Sequence, residues 1–304
     1  MNYVRSSALK RMKPGAGAAP IFIFPGSPGS LSQLAPLVGC LRTAASIYGV
    51  EPKGVYPGED PLERIEDMAE YAIRDIELAA RGGPYLLVGY SAGGLVAFEI
   101  ARRLSSDGAN IALLALLDTC PSEKTWPLRC KIEVFVRQFT HRSKQLLIIP
   151  RAEITAFIGE RFRGIFAYLW RSGLGLRGWQ RPATGTMPPA EQRLHHTTIA
   201  AVVRYRPSYY DHKITLFKPD EIGMQMQPRD PRSAWGKFAR ELEIHVVQGT
   251  HVSMTCDVEI LAARLSACLE TAIAAGPSPP PVQHDQVAAQ SPVSESIGNN
   301  RSQY

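Results

Sequence analysis

The sequence predicts an α/β protein: a mostly parallel central sheet flanked by helices, with a helical insertion in the middle of the chain. Three observations carry this. Short, almost wholly apolar runs of strand length recur along the chain, and stretches with apolar residues at helical spacing separate them. Strands apolar on both sides, alternating with amphipathic helices, indicate a sheet covered on both faces. The third observation is Val88-Gly89-Tyr90-Ser91-Ala92-Gly93-Gly94, a Gly-x-Ser-x-Gly stretch lying between one such strand and one such helix.

The elements follow in order. Residues 1–19 are small and polar, with Gly15, Gly17 and Pro20 close by, and read as a flexible N-terminal arm. Ile21-Phe22-Ile23-Phe24 is a strand, stopped by Pro25-Gly26-Ser27-Pro28-Gly29-Ser30 and followed by a helix over Leu31 to Leu41. Ser46 to Val50 is the next strand. Ile65, Met68, Ala69, Ala72, Ile73, Ile76 and Ala79 then recur at the spacing of one helix face. Pro84 to Val88 is a buried strand, Leu95 to Leu104 a helix with Ala97, Ile100, Ala101 and Leu104 on one side, and Ile111 to Leu117 a strand ending at Asp118.

Between Cys120 and Leu194 the alternation stops. Amphipathic stretches (Ile132 to Phe139, Ile154 to Trp170) are separated by Gly- and Pro-rich pieces without a clear strand, so residues 121–195 read as a helical insertion. The sheet resumes at Lys213 to Phe217 and Leu242 to Val247, and a last helix runs from about Asp257 to Ala274. Residues 20–275 thus form one domain. From Gly276 the chain turns to Pro, Ser, Gln and Ala, and residues 276–304 read as a disordered tail.

Composition narrows the class. With 45% hydrophobic and 20% charged residues the chain can bury a full core. No apolar run reaches the roughly 18 residues of a membrane helix, and the basic N-terminus has no apolar stretch of signal-peptide type behind it. Cys40, Cys120, Cys130, Cys256 and Cys268 form no CxxC and no metal-ligand spacing. An odd, scattered set fits reduced thiols in the cytoplasm, with no metal and no cofactor expected. The net charge of +6 is unevenly distributed, with 13 Lys/Arg against 5 Asp/Glu between Pro121 and His195. That surplus is either a solvated helical face or a surface attractive to an acidic partner; no nucleic-acid reader motif or membrane segment accompanies it.

A serine on a sharp strand-to-helix turn presents its hydroxyl clear of the sheet, and the glycines two before and two after it let neighbouring backbone approach. Ser91 is therefore the candidate nucleophile. A serine hydroxyl needs a base to take its proton and a third group to orient that base. In a parallel sheet these come from loops at the C-terminal strand ends, in the order Ser, acid, His. Asp118 ends the strand after Ser91 and is the candidate acid; Asp220 and Asp230, after the next strand, are its competitors. Of seven histidines, His251 alone lies just beyond a late strand and a flexible Gly249-Thr250 pair, which makes it the candidate base. His245 lies within that strand, His195 and His196 adjoin the insertion, His141 is inside it, His212 precedes a strand and His284 is in the tail. Charge developing on an acyl oxygen needs backbone N–H donors. Ala92 supplies one, and the loop Phe24-Pro25-Gly26-Ser27 the other: Ser27 is the choice, because Pro25 has no N–H, with Gly26 in reserve.

These residues resemble a known family. Gly-Tyr-Ser-Ala-Gly-Gly around Ser91, the Phe-Pro-Gly loop, Leu-Leu-Asp at 116–118 and Gly-Thr-His at 249–251 are similar to thioesterase domains that end non-ribosomal peptide and polyketide synthetases. Leu95-Val96-Ala97-Phe98-Glu99, Tyr205-Arg206-Pro207 to Phe217 and Trp235-Gly236 extend the resemblance over about Pro20 to Ala274. It implies an α/β-hydrolase fold, a helical lid over 121–195, and acyl, peptidyl or polyketide groups delivered as thioesters on the phosphopantetheine arm of a carrier protein. No carrier attachment motif of Asp-Ser-Leu type occurs here, so the carrier is expected in trans, and the tail beyond Gly276 has no counterpart. A general carboxylic-ester hydrolase and a catalytically idle binding protein on the same fold are the alternatives. The lid is expected to turn Ile132, Phe135, Val136, Phe139, Phe157, Ile158, Phe162, Ile165, Phe166 and Leu169 toward an acyl pocket. Arg137, Arg142, Lys144, Arg161 and Arg163 should then face outward.

Overall fold

A computed structural model describes residues 7–17, 19–56, 58–146, 187–221 and 227–275. Seven strands form one sheet: β1 (Leu9–Lys13), β2 (Ile21–Phe24), β3 (Ile47–Val50), β4 (Tyr85–Tyr90), β5 (Ile111–Leu117), β6 (Tyr210–Pro219) and β7 (Ala239–Val247). Their order is β1-β3-β2-β4-β5-β6-β7, with β1 antiparallel to β3 and every other pair parallel. This mostly parallel sheet with flanking helices is the expected α/β-hydrolase architecture.

Alternation along the central strands divides the interior in two. Phe22, Phe24, Leu87, Leu114 and Leu116 point to one face, where α2 (Ile65–Ala80) and α3 (Ala92–Ser106) cover them with Ile65, Ile76, Phe98 and Ile100. Ile21, Ile23, Leu86, Val88, Ala115 and Leu117 point to the other, against Leu37 of α1 (Ala35–Cys40) and Leu261, Leu265 and Leu269 of the last helix (Glu259–Ala274). Period-two side chains on a sheet buried on both faces explain why the strands read as continuous apolar runs.

The segment expected as a loose arm contains a strand. Its charged residues, Lys10, Arg11 and Lys13, hide it, yet Leu9 packs on one core and Met12 on the other. Lysine and arginine on an outermost strand are a common way to keep a sheet edge from pairing further. The ladder also shifts register between Arg11 and Lys13, which breaks the simple alternation.

The insertion begins with α4 (Leu128–Leu146), and α5 (Pro189–Arg204) carries the chain back to β6. Cys130 and Val134 face the core beside Trp126 and Ala234, whereas Ile132 is 53% and Phe139 60% exposed. Arg137 is not turned outward: it pairs with Glu133 at 3.2 Å and donates to the Gln227 carbonyl. Ile154 to Trp170 with its apolar and basic residues, the side chains of His141, Arg142 and Lys144, and the tail lie outside the described residues.

Glu99 is a buried acid midway along α3. Its carboxylate accepts from Arg102, Arg103 and the Tyr205 hydroxyl (2.8 Å), tying α3 to the end of α5. Burial raises its pKa, but these donors outweigh burial and hold it below the usual carboxylate value. Among the described residues no helix is long and apolar enough to cross a membrane.

Candidate active site

Ser91 follows the last residue of β4 and precedes the first residue of α3, with φ 53° and ψ −121°. A side chain at that φ is disfavoured, and the surroundings hold it there. The Ser91 N–H donates to the Leu117 carbonyl (2.9 Å), and the Thr119 hydroxyl donates to the Ser91 carbonyl (3.0 Å). The two motif glycines are required by close approach. A Cβ on Gly89 would stand 2.4 Å from the Gly94 Cα, and one on Gly93 would stand 2.2 Å from the Pro25 carbonyl oxygen.

Asp118 ends β5, the neighbour of β4, and is 4% exposed. It too has positive φ (44°), fixed by an N–H bond to the Phe217 carbonyl (2.8 Å) on β6. Its Oδ2 lies 2.6 Å from His251 Nδ1. That bond leaves Nε2 as the nitrogen able to accept a proton, and a buried carboxylate stabilises the imidazolium that results. Among the described residues the Ser91 hydroxyl makes no hydrogen bond. The Ser91–His251 contact is therefore open.

His251 is positioned by residues that sequence reasoning missed. Tyr90, the residue before the serine, stacks on the imidazole (centroids 4.9 Å apart, planes at 22°) and donates its hydroxyl to the His251 carbonyl at 2.8 Å. Burial foremost, then the Asp118 charge, push the Tyr90 phenol up to about 12, so it stays a donor. Asp220, one of the competing acids, instead accepts the Gly249 N–H at 2.8 Å and so shapes the loop that leads to His251. Asp230, the other, accepts the Arg232 N–H at 3.0 Å on an exposed turn. Trp235, fully buried, donates its indole N–H to the Thr119 carbonyl (3.0 Å), bracing the backbone next to Asp118.

On the other side of Ser91 lies the loop after β2. Its turn is closed by the Gly29 N–H on the Gly26 carbonyl, and a Cβ on Gly26 would approach the Ser91 Cβ to 3.1 Å. The loop therefore presses on the turn that carries Ser91. Ala92 is the first residue of α3, where helix N–H groups lack intrahelical acceptors. Ser27 has a partner that no periodicity signals: its hydroxyl meets His195 Nδ1 of α5 at 2.9 Å. Burial, then His196, lower the His195 pKa and favour its neutral form. The remaining described histidines stand elsewhere: His245 pairs with Glu243 at 2.9 Å, and His212 packs on Tyr210. No group of three or more His, Cys, Asp or Glu among the described residues is arranged to hold a metal ion.

The fold is shared with solved thioesterase structures. The thioesterase domain of Vlm2 superposes with a TM-score of 0.54 at 21% identity, covering 86% of this chain and 96% of that one. RedJ, a thioesterase from the prodiginine pathway of Streptomyces coelicolor, gives 0.53 at 19% identity over 83% and 91%. Among curated proteins, indigoidine synthase of Streptomyces lavendulae is 37% identical over 113 residues, 37% of this chain and 9% of the synthase. Nonribosomal peptide synthetase pngA of Aspergillus terreus is 26% identical over 227 residues, 68% of this chain and 23% of the synthetase. The chain thus matches only a small part of the length of these relatives. The model of the thioesterase domain family matches residues 19–269, and the chain belongs to that family.

Proposed function

We propose that this thioesterase releases acyl or peptidyl groups, held as thioesters on the phosphopantetheine arm of a carrier protein, through an acyl-Ser91 intermediate. The observation that carries the mechanism is the 2.6 Å Asp118–His251 bond beside a serine held at positive φ. His251 Nε2 takes the Ser91 proton as Oγ attacks the thioester carbon. The resulting oxyanion is held by the N–H groups of Ala92 and Ser27. Collapse breaks the carbon–sulfur bond, and the imidazolium returns its proton to the departing thiolate. Water, or a nucleophile within the acyl chain itself, then attacks acyl-Ser91 with His251 again as base, which gives hydrolysis or cyclisation.

The relatives that are peptide and polyketide synthetases support a carrier-bound substrate, and the basic excess over 121–195 fits an acidic partner. The test compares each acyl group on pantetheine and on a simple alcohol. A kcat/KM at least tenfold higher for the thioester supports the proposal. Equal or higher rates on oxygen esters would make the chain a general carboxylic-ester hydrolase, and no turnover of either would make it a binding protein.

A further inference from the structure

The strand register places a second charge beside Asp118. β5 and β6 pair Leu116 with Leu216 and Leu117 with Phe217, and the Asp118 N–H on the Phe217 carbonyl carries the ladder one step further. The next residues in line are Asp118 and Lys218, on the side of the sheet that carries Leu116 and Leu216. Both line a cavity of about 10 Å³, the room of one water, walled also by Cys120, Pro231 and Trp235. Of the described residues around it, only Asp118 and Lys218 carry charge. Lys218 is half-buried and held in place. Its ammonium donates to the Arg229 carbonyl, and the Arg229 N–H donates to Glu133 of α4 at 3.1 Å. Burial foremost lowers the Lys218 pKa; Asp118 and then Asp230 raise it, Arg137 lowers it and Glu133 raises it. Asp118 is thus the strongest charge acting on Lys218. The Tyr90 phenol and the Cys120 thiol also lie near the carboxylate, and burial first, then the Asp118 charge, push both up, so they stay uncharged near pH 7.

We infer that Lys218 is a positioning residue for the Asp118–His251 pair: its fixed ammonium holds the carboxylate ionised and drives the proton off the imidazole. A cation beside Asp118 favours the charged carboxylate and disfavours an imidazolium bonded to that same carboxylate. The base is then free at a lower pH than the pair alone would allow, and turnover extends further toward acid. No bond forms or breaks at Lys218, which acts through Asp118 alone. The inference rests on the acyl-Ser91 reading above and adds to it the residue that sets the pH range of the reaction.

The test follows the acid limb of kcat/KM on one acyl-pantetheine, from about pH 4 to pH 9, in the wild type, Lys218→Met and Lys218→Arg. The rate at which a fluorophosphonate labels Ser91 is followed over the same range. Loss of the charge in Lys218→Met should move the midpoint of both limbs up by roughly half a unit, the scale expected of a half-buried cation one strand away. Lys218→Arg, which keeps the charge, should leave the midpoint in place. Lys218→Gln carries the comparison if Lys218→Met does not fold. A lysine that only braces the Arg229 turn would lower the rate by one factor at every pH. That outcome, with an unmoved midpoint, overturns the inference, as does a shift in Lys218→Arg as large as in Lys218→Met. A labelling midpoint that moves while no pantetheine thioester turns over supports the role of Lys218 and overturns the thioester reading.

Discussion

The two flanks of Ser91 are built differently. The proposed acid–base flank belongs to the sheet: Asp118 is clamped to β6, bonded to His251, and enclosed by Tyr90, Trp235 and the Asp220-braced loop. The proposed oxyanion flank is one turn pressed against Ser91, with its Ser27 side chain tied to His195 of α5. Geometry on the first flank comes with the core. On the second it also depends on a helix that closes the insertion. Changes on the acid–base flank should therefore alter chemistry with little effect on the loop opposite, whereas changes on the oxyanion flank should be shared between Ser27 and α5.

The largest expected effect that sharpens this contrast is on the acid. Asp118→Asn should lower kcat by about 10⁴, since the imidazole loses its orienting and charge-stabilising partner. Asp220→Asn, which keeps an acceptor oxygen for the Gly249 N–H, should lower it less than tenfold. Steady-state kinetics on one acyl-pantetheine checks both, and a reversal of the two would move the acid to the β6 loop. Next is the oxyanion flank. His195→Ala and Ser27→Ala should each lower kcat about fivefold, the worth of one hydrogen bond of roughly 1 kcal/mol. The double variant should lower it no further, because both remove the same contact. Additive losses would mean that α5 and the β2 loop act separately.

Much of this site was legible in the sequence because strand ends advertise themselves. An apolar run ending in Asp118, another followed by Gly249-Thr250-His251, and Gly-x-Ser-x-Gly between strand and helix each mark a residue at the same sheet edge. What escaped were contacts between residues far apart in the chain. Tyr90 occupies the variable position of the motif, and nothing local says that it will stack on a ring 161 residues later. Ser27 and His195 are 168 residues apart, so His195 reads only as a neighbour of the insertion. Asp220 looks like a catalytic acid because it ends a strand, and only the folded loop shows its carboxylate taken by the Gly249 N–H. Apolar spacing on α4 gave the helix but not which face it buries, since Cys130 and Val134 won over the larger Ile132 and Phe139. β1 escaped because three of its five residues are cationic.

Smaller effects test the supports on which both flanks rest. Tyr90→Phe keeps the stack on His251 but loses one hydrogen bond. It should cost about 1 kcal/mol of stability, a fall of roughly 2–4 °C in Tm by calorimetry. Glu99 contributes through pH. Its folded pKa lies below the unfolded value, so its stabilisation is fully present above the usual carboxylate pKa and is lost as pH falls through the depressed folded one. Denaturant midpoints followed from pH 6 down to pH 2 should therefore drop more for the wild type than for Glu99→Gln. Parallel curves would remove the α3–α5 tie from the account.

The central claim is that Ser91 is the residue that becomes acylated. A fluorophosphonate probe followed by intact-protein mass spectrometry tests it directly, with circular dichroism to show that each protein is folded. The account predicts one adduct on the wild type and none on Ser91→Ala, together with a loss of about 10⁶ in kcat on the acyl-pantetheine. An adduct of equal yield on folded Ser91→Ala would contradict it.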